Sequence, residues 1–140
     1  MSELDIQPEL VTELLVSFLR EEVSSAGLER AVVGLSGGID SAGSAALCVR
    51  AFGPENVLLC LLPYRLSNPK SESDARLVSG QLGSETRRID ISRMADGYLG
   101  QQKVRDPLRA GNVLARCRMI VLYDLSVEWR GLVVGTSNKT

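Results

Sequence analysis

Apolar residues recur along the chain in two alternating patterns. Stretches with helical spacing and polar residues between them predict amphipathic helices, and short continuous apolar runs predict buried strands. The predicted helices run from Pro8 to Gly27 and over 40–52, 71–82 and 112–129. The predicted strands span 31–35, 57–62, 86–91 and 132–134, and the third is the weakest because two arginines interrupt its alternation. The stretch 94–109 is ambiguous and fits one short helix and a loop.

Strand and helix follow each other in alternation, which indicates right-handed crossovers between parallel strands. We therefore expect an α/β fold with a parallel doubly wound sheet and flanking helices, formed by one domain over 1–140. Thr140 comes only a few residues after the fourth predicted strand. We expect the helix that would cover that side to be missing, and the domain to be truncated at its C-terminus.

The amino-acid composition excludes several classes of function. The 140 residues include 16 basic and 17 acidic side chains, and the net charge of −1 does not suit a nucleic-acid or membrane-surface protein. No apolar run approaches the roughly 20 residues of a membrane span. Three cysteines in apolar segments, Cys48, Cys60 and Cys117, are expected to be buried thiols of a cytoplasmic protein. Histidine is absent, so any chemistry depends on carboxylates, cations, hydroxyls and backbone amides.

One loop carries the chemical signal of the sequence. After the first predicted strand, and before a helix, the chain reads Gly34, Leu35, Ser36, Gly37, Gly38, Ile39, Asp40 and Ser41. Glycines let backbone N–H groups point at an anion, and the helix N-terminus adds partial positive charge. The serines can donate hydrogen bonds to phosphate, whereas Asp40 would repel phosphate unless Mg²⁺ lay between them. The loop therefore predicts a site for the phosphates of ATP, with Asp40 as a Mg²⁺ ligand.

A plainer interpretation is a glycine turn with Asp40 as the N-cap of the helix. The pair of glycines between two serines, placed between a buried strand and a helix, favours nucleotide binding over this alternative. Two common nucleotide motifs are excluded. The Walker A lysine is absent, and the glycines at 34, 37, 38 and 43 have the wrong separations for a dinucleotide fingerprint.

The motif Ser-Gly-Gly-x-Asp-Ser at 36–41 resembles the signature loop of the ATP pyrophosphatases. Three further blocks are similar to one family within that group, the ammonia-dependent NAD synthetases. These blocks are Leu62-Pro63-Tyr64-Arg65 with Ser73-Asp74-Ala75, the segment 111–119, and the ending Leu132-Val133-Val134-Gly135-Thr136-Ser137-Asn138-Lys139-Thr140. Together the four cover nearly the whole chain in the family's order, and they imply an adenine nucleotide alpha hydrolase-like fold.

The resemblance implies a ligase that makes NAD in two steps. The carboxylate of deamido-NAD attacks the α-phosphate of ATP and releases pyrophosphate, and ammonia then displaces AMP from the adenylated intermediate. The resemblance also implies that 34–41 would hold the pyrophosphate, Asp40 would bind Mg²⁺, Arg116 would contact deamido-NAD and Thr136 would contact ATP. Without the motif, Arg116 would be interpreted as a solvated helix charge and Thr136 as a cap of the strand end.

The predicted helix over 112–129 has apolar residues on more than one side. Either the helix is deeply buried or its second apolar side meets another protein surface. The dimeric state of the family favours the second interpretation, so we expect a homodimer with this helix in the interface.

In the family, the final block continues with a metal-binding glutamate and a segment bearing an ATP-binding lysine, which the 140 residues do not contain. We therefore expect this chain alone to be a poor catalyst. The first predicted helix starts soon after Met1, which leaves no place for a preceding glutaminase domain, so free ammonia is the simpler expected nitrogen source, with a separate glutaminase protein as the alternative. Two alternatives stay open. The protein is another ATP pyrophosphatase, such as an amidating or tRNA-modifying enzyme, or the chain is a non-catalytic nucleotide-binding or dimerisation module.

Overall fold

The computed structural model describes residues 8–65 and 68–135 and shows strands and helices in the predicted alternation. The strands are β1 (Arg30–Leu35), β2 (Val57–Leu61), β3 (Glu85–Arg88) and β4 (Gly131–Val134). The helices are α1 (Pro8–Ser25), α2 (Ile39–Phe52), α3 (Pro69–Leu82), α4 (Ser92–Gln101) and α5 (Pro107–Trp129). A 3₁₀ turn over Pro54–Asn56 leads from α2 into β2.

The four described strands form one parallel sheet in the order β3-β2-β1-β4. β1 pairs with β2 in a register that sets Leu35 opposite Leu61, and on its other side it pairs with β4, where Val33 lies opposite Val134. The chain winds outward from β1 to β3 and then returns through α5 to the other side of β1. The predicted doubly wound α/β fold is confirmed, and the carboxyl end of β1 lies where the winding reverses.

Two apolar layers hold the sheet between helices. On one face, α1, α2 and α3 cover a layer that includes Val33 and Leu59. On the other face, α4 and α5 cover a layer that includes Val32 and Leu58. β1 and β2 bury side chains on both faces, as expected for central parallel strands. The edge strand β3 carries glutamate and arginine side chains, which suit an edge that faces water.

Element boundaries differ from the sequence prediction on either side of α4. β3 ends at Arg88. Beyond it the chain still runs alongside β2, where Ile89 N donates a hydrogen bond to Leu61 O at 2.8 Å. α5 begins at Pro107 rather than near 112. The cause is an N-cap: the carboxylate of Asp106 accepts a hydrogen bond from Leu108 N at 2.9 Å, and proline suits the first turn.

α5 is apolar on two sides, and the structure separates them. One side, with Cys117, Val121 and Leu125, is buried against the sheet. The other side leaves Ile120, Tyr123 and Val127 exposed by 59%, 58% and 78%. The interpretation of α5 as a deeply buried helix is therefore wrong for the described residues.

None of the described helices has both the length and the apolar character needed to span a membrane.

Candidate functional site

Gly37 shapes the loop between β1 and α2. Its φ is +87°, a backbone conformation that residues with side chains rarely adopt. A Cβ atom at this position would lie 2.3 Å from the carbonyl oxygen of Ser71, in the first turn of α3. Only glycine therefore lets the loop lie against α3, and this contact fixes where the loop crosses the carboxyl end of the sheet.

The hydroxyl of Ser41 holds the loop in shape. Ser41 Oγ accepts a hydrogen bond from Ser36 N at 3.1 Å and donates one to Gly38 O at 3.1 Å. It also lies 3.1 Å from Ser36 Oγ, which is then the donor of that pair. A hydroxyl has one proton and two acceptor lone pairs, so these three bonds use the full capacity of Ser41. In this conformation Ser41 fastens the loop internally and has no hydrogen-bond donor left for a phosphate.

α2 begins at the end of this loop without a side-chain cap. Its N-cap is Gly38, so the alternative in which Asp40 caps the helix is wrong. First-turn N–H groups have no partner within a helix, and together with the helix dipole they favour an anion. The predicted phosphate cradle therefore has its backbone donors at the expected place.

Asp40 lies in the first turn of α2 with an exposed side chain. Across the described residues, no group of three or more acidic, histidine or cysteine side chains is placed to hold a metal ion. Mg²⁺, however, is commonly bound through one or two carboxylates together with substrate phosphates. A single free carboxylate next to the predicted phosphate loop is compatible with a Mg²⁺ that arrives with a nucleotide.

A cavity of about 570 Å³ opens at the carboxyl ends of β1 and β2. Four of the predicted phosphate-binding residues line it, namely Gly34, Leu35, Ser36 and Ser41, whereas 37–40 do not. The first turns of α3 and the segment that follows β2 form the other walls. The loop and the cavity thus form one site at the edge of the sheet where ligands bind in this class of fold.

Three arginines from separate parts of the chain line this cavity: Arg65 after β2, Arg88 at the end of β3 and Arg118 on α5. Arg65 forms an ion pair with Asp96 of α4. Arg88 Nε donates to Glu72 at 2.9 Å, and hydrogen bonds from Arg88 and then Arg76 lower the pKa of that carboxyl. Asp96 and Glu72 thus pair with two of the three arginines, and Arg118 leaves one positive charge in excess at the cavity. This excess favours an anionic ligand.

Arg118 is half-buried, and no carboxylate of the described residues pairs with it. Its Nε donates to Leu62 O at 2.9 Å, and burial lowers the pKa of the guanidinium below its usual value. Arg118 has no assigned role in the sequence interpretation, although it lies in the quoted block 111–119. Helical geometry could have identified it: Arg118 lies about 200° around α5 from Arg116, toward the side that packs on the sheet.

Arg116 itself is exposed and does not line this cavity. Nor does it line the second, mostly apolar cavity of about 540 Å³, where the end of α4 meets the start of α5. Thr136, predicted to contact ATP, lies outside the described residues. The structure therefore brings the glycine loop together with Arg118 and does not bring Arg116 to either of them.

The three cysteines are free and buried, as the sequence predicts. Cys60 lines the cavity, but burial raises the pKa of its thiol to about 11. Burial raises the pKa of Cys48 to about 12. Thiols in this state are not nucleophiles at neutral pH, so the cysteines belong to the core rather than to the chemistry of the site.

Comparison with known families matches residues 11–140 to the family described as NAD synthase. The chain belongs to the NAD synthase family. Its relatives in this family include the NH(3)-dependent NAD(+) synthetase of Trichlorobacter lovleyi, which is 49% identical over 140 residues. The match takes in 100% of this chain and 51% of that protein, so the chain spans about half the length of the curated relatives it matches.

Solved structures show the same NAD synthase architecture. The NH3-dependent NAD synthetase from Campylobacter jejuni superposes with a TM-score of 0.88 at 39% identity, over 96% of this chain and 58% of that one. An NMN synthetase from Francisella tularensis superposes with a TM-score of 0.87 at 31% identity, over 96% of this chain and 56% of that one.

Proposed function

We propose that this chain is the ATP-binding part of an enzyme that converts deamido-NAD to NAD with ammonia, through an adenylated intermediate, and releases AMP and pyrophosphate. The observation that carries the proposal is the cavity at the carboxyl end of β1, where the glycine loop meets the arginines in a chain of the NAD synthase family. The names of the relatives support NAD as the product and ammonia as the nitrogen source. They do not favour a tRNA-modifying enzyme.

The reaction requires the site mainly to position the two substrates and to supply positive charge. Adenylation brings a carboxylate up to a triphosphate, so several negative charges meet. The loop at 34–41 would hold the departing pyrophosphate through the free backbone N–H groups at the start of α2, and the arginines would offset its charge. Thr136 would add a contact to ATP on the strength of its motif. Because attack by a carboxylate needs no protein base, a sequence without histidine can support this step.

Asp40 would bind Mg²⁺ in this proposal. Its exposed carboxylate beside the loop supports the assignment, and the ion would supply positive charge between that carboxylate and the phosphates. Asp40→Asn removes the charge with little change in shape. We expect it to raise the Mg²⁺ concentration needed for half-maximal turnover by at least tenfold, whereas Glu21→Gln, at an exposed position of α1 that lines neither cavity, should leave it unchanged. An unaltered Mg²⁺ requirement in Asp40→Asn would reject the assignment.

The activity is tested by supplying the whole gene product with ATP, Mg²⁺, ammonia and deamido-NAD and following NAD and AMP together. We expect equal amounts of both products, with NAD formation dependent on ammonia. The mononucleotide analogue of deamido-NAD is the matched alternative substrate, because one structural neighbour is an NMN synthetase. A higher kcat/KM for the mononucleotide, or AMP release without NAD, would contradict the proposal.

Two copies of the chain would associate through α5. The support is its exposed apolar stripe, which comprises Ile120, Tyr123 and Val127 at helical spacing. Arg116 precedes Ile120 by four residues, so it lies at the start of the same stripe. The part of deamido-NAD held by Arg116 would therefore lie beside the second copy, and its carboxylate would reach into the cavity to meet the α-phosphate of ATP.

A cytoplasmic location is the last part of the proposal. Its support is chemical: all three cysteines of the sequence are free thiols in the structure, which suits a reducing compartment.

A further inference from the structure

We propose that Arg118 binds the phosphates of ATP and closes the phosphate site from the face of the sheet opposite α2. This inference rests on the proposed function and deepens it, because it adds to the glycine loop a cation that comes from a distant part of the chain.

The register of the sheet places Arg118 level with the loop. Leu35 lies opposite Leu61 in the parallel pair β1 and β2, so the next residues along each chain, Ser36 and Leu62, lie at about the same height beyond the sheet. Arg118 Nε donates to Leu62 O at 2.9 Å. The guanidinium is therefore held at the height of the first serine of the loop.

The packing of α5 gives the same position independently. A Cβ atom on Gly34 would lie 3.5 Å from a methyl group of Leu122, so this turn of α5 lies over β1 at Gly34. Arg118 is about one turn earlier, or about 6 Å along the helix, and α5 runs antiparallel to β1 because it returns the chain to a parallel strand. The two strand residues from Gly34 to Ser36 cover about 7 Å in the same direction. Both measures bring Arg118 to the end of β1.

The guanidinium of Arg118 has unused hydrogen-bond donors. Its Nε is used by Leu62, whereas its terminal amino groups make no hydrogen bond or ion pair with the described residues. Arg65 and Arg88, the other arginines of the cavity, each have a carboxylate partner. A half-buried charge without a partner is unfavourable, and a phosphate is the counter-charge whose geometry matches two parallel N–H donors.

The two elements would then hold the polyphosphate from opposite sides. α2 packs on the face of the sheet that includes Val33, and α5 packs on the face that includes Val32. The N-terminus of α2 offers backbone donors, and Arg118 offers a full positive charge across the carboxyl end of β1. A nucleotide without phosphates would lose this arginine contact and keep its contacts to the base and ribose.

The test compares the affinities of ATP and adenosine in the whole gene product, measured by calorimetric titration. Arg118→Gln should weaken ATP binding by about tenfold to a hundredfold, the usual loss for a hydrogen bond to a charged group, and change adenosine binding by less than about twofold. Arg118→Lys keeps the positive charge but loses the paired N–H donors of the guanidinium, so it should weaken ATP binding less than Arg118→Gln does. Arg109→Gln is the matched control, since Arg109 is an exposed arginine on α5 that lines neither cavity.

Two results would overturn the inference. Equal losses for ATP and adenosine would mean that Arg118 only supports the backbone at Leu62, and unchanged ATP affinity in Arg118→Gln would mean that it does not meet the phosphates. Failure of the proposed function has a different signature. A protein whose ATP binding depends on Arg118 but which forms no NAD rejects the proposed function and keeps this inference.

Discussion

At Gly37, backbone conformation and packing impose the same requirement. The positive φ favours glycine, and the carbonyl of Ser71 leaves no room for a side chain. Gly43, on the exposed side of α2, has neither restriction: its φ is ordinary, and a Cβ atom there would have no neighbour within 4 Å. The pair offers a test of how the loop is held.

We expect Gly37→Ala to lower the free energy of unfolding by about 1–3 kcal/mol and to abolish ATP binding, because the loop must leave α3 or change its backbone conformation. Gly43→Ala should instead raise stability by up to about 1 kcal/mol, since alanine is the better helix former. Urea unfolding and ATP titration on both variants measure the two effects. Equal stability of the two variants would contradict the strain at Gly37.

Position on the helix distinguishes two neighbouring arginines of α5, Arg116 and Arg118. Arg116 and Arg118 have the same charge and lie in the same motif, but they point to different sides of the helix. One is exposed, and the other is half-buried at the cavity wall. A difference of two positions therefore separates a residue that faces outward from one that lines the cavity.

At the scale of elements, the start of α4 depends on Asp90. Its carboxylate accepts a hydrogen bond from Ser92 N at 2.7 Å, in the first turn of the helix. Hydrogen bonds from the side chain and then the backbone of Ser92 lower the pKa of Asp90. Ile91, between them, is fully buried, so this bond anchors the helix where the chain enters the core.

The lowered pKa of Asp90 predicts a pH dependence of stability. Because the carboxyl binds its proton less readily in the folded chain, its contribution is present above the unfolded pKa, near 4, and is lost as pH falls through the lower folded value. Asp90→Asn should therefore be less stable than the parent at pH 7, and the difference should shrink below about pH 4. Urea midpoints between pH 3 and 7 measure this, with Glu21→Gln, an exposed change on α1, as the control for net charge. A difference that does not change with pH would refute it.

The junction between α5 and β4 is held by Arg30, at the start of β1. Its guanidinium lies 3.7 Å from the centroid of the Trp129 ring and donates to Trp129 O and Glu55 O, each at 3.2 Å. These contacts join segments that are far apart in the sequence, so they act only after the sheet has formed.

We expect Arg30→Met to lower the free energy of unfolding by about 1–3 kcal/mol, since the cation–π contact and two hydrogen bonds are lost together. Arg50→Met, an exposed change in the last turn of α2, should have little effect. Trp129 is the chain's single tryptophan, so its fluorescence reports both unfolding and any local change. An unaltered unfolding midpoint in Arg30→Met would show that the junction does not need the arginine.

At the scale of the whole molecule, the exposed stripe of α5 predicts self-association. Ile120→Lys and Val127→Lys place charges in this stripe, and we expect each to convert a dimer to a monomer in sedimentation velocity at micromolar concentration. Leu77→Lys is the control, because Leu77 is a similarly exposed apolar residue, at 66%, on α3. A parent protein that sediments as a monomer, or variants that stay dimeric, would contradict the prediction.

Sequence patterns alone specify the architecture and the position of the glycine loop between β1 and α2. Apolar runs and helical spacing show which residues of an element turn inward, and alternation of strands with helices leads to a parallel sheet. The loop at 34–41 is recognisable because its glycines and the helix start that follows them are both visible in the local sequence. Boundaries near α4 were predicted less accurately, since the cap at Asp106 and the edge strand β3 give weak apolar signals.

Which side chains share the site depends on tertiary packing. Gly37 meets Ser71, and Arg118 meets Leu62, across separations that no local pattern describes. The saturation of the Ser41 hydroxyl likewise follows from how the loop closes on itself. The physical reason is the same in each case. The apolar periodicity of a helix or strand specifies which of its sides faces the core. The residues that this side contacts depend on how separate elements pack and where along the sheet they cross.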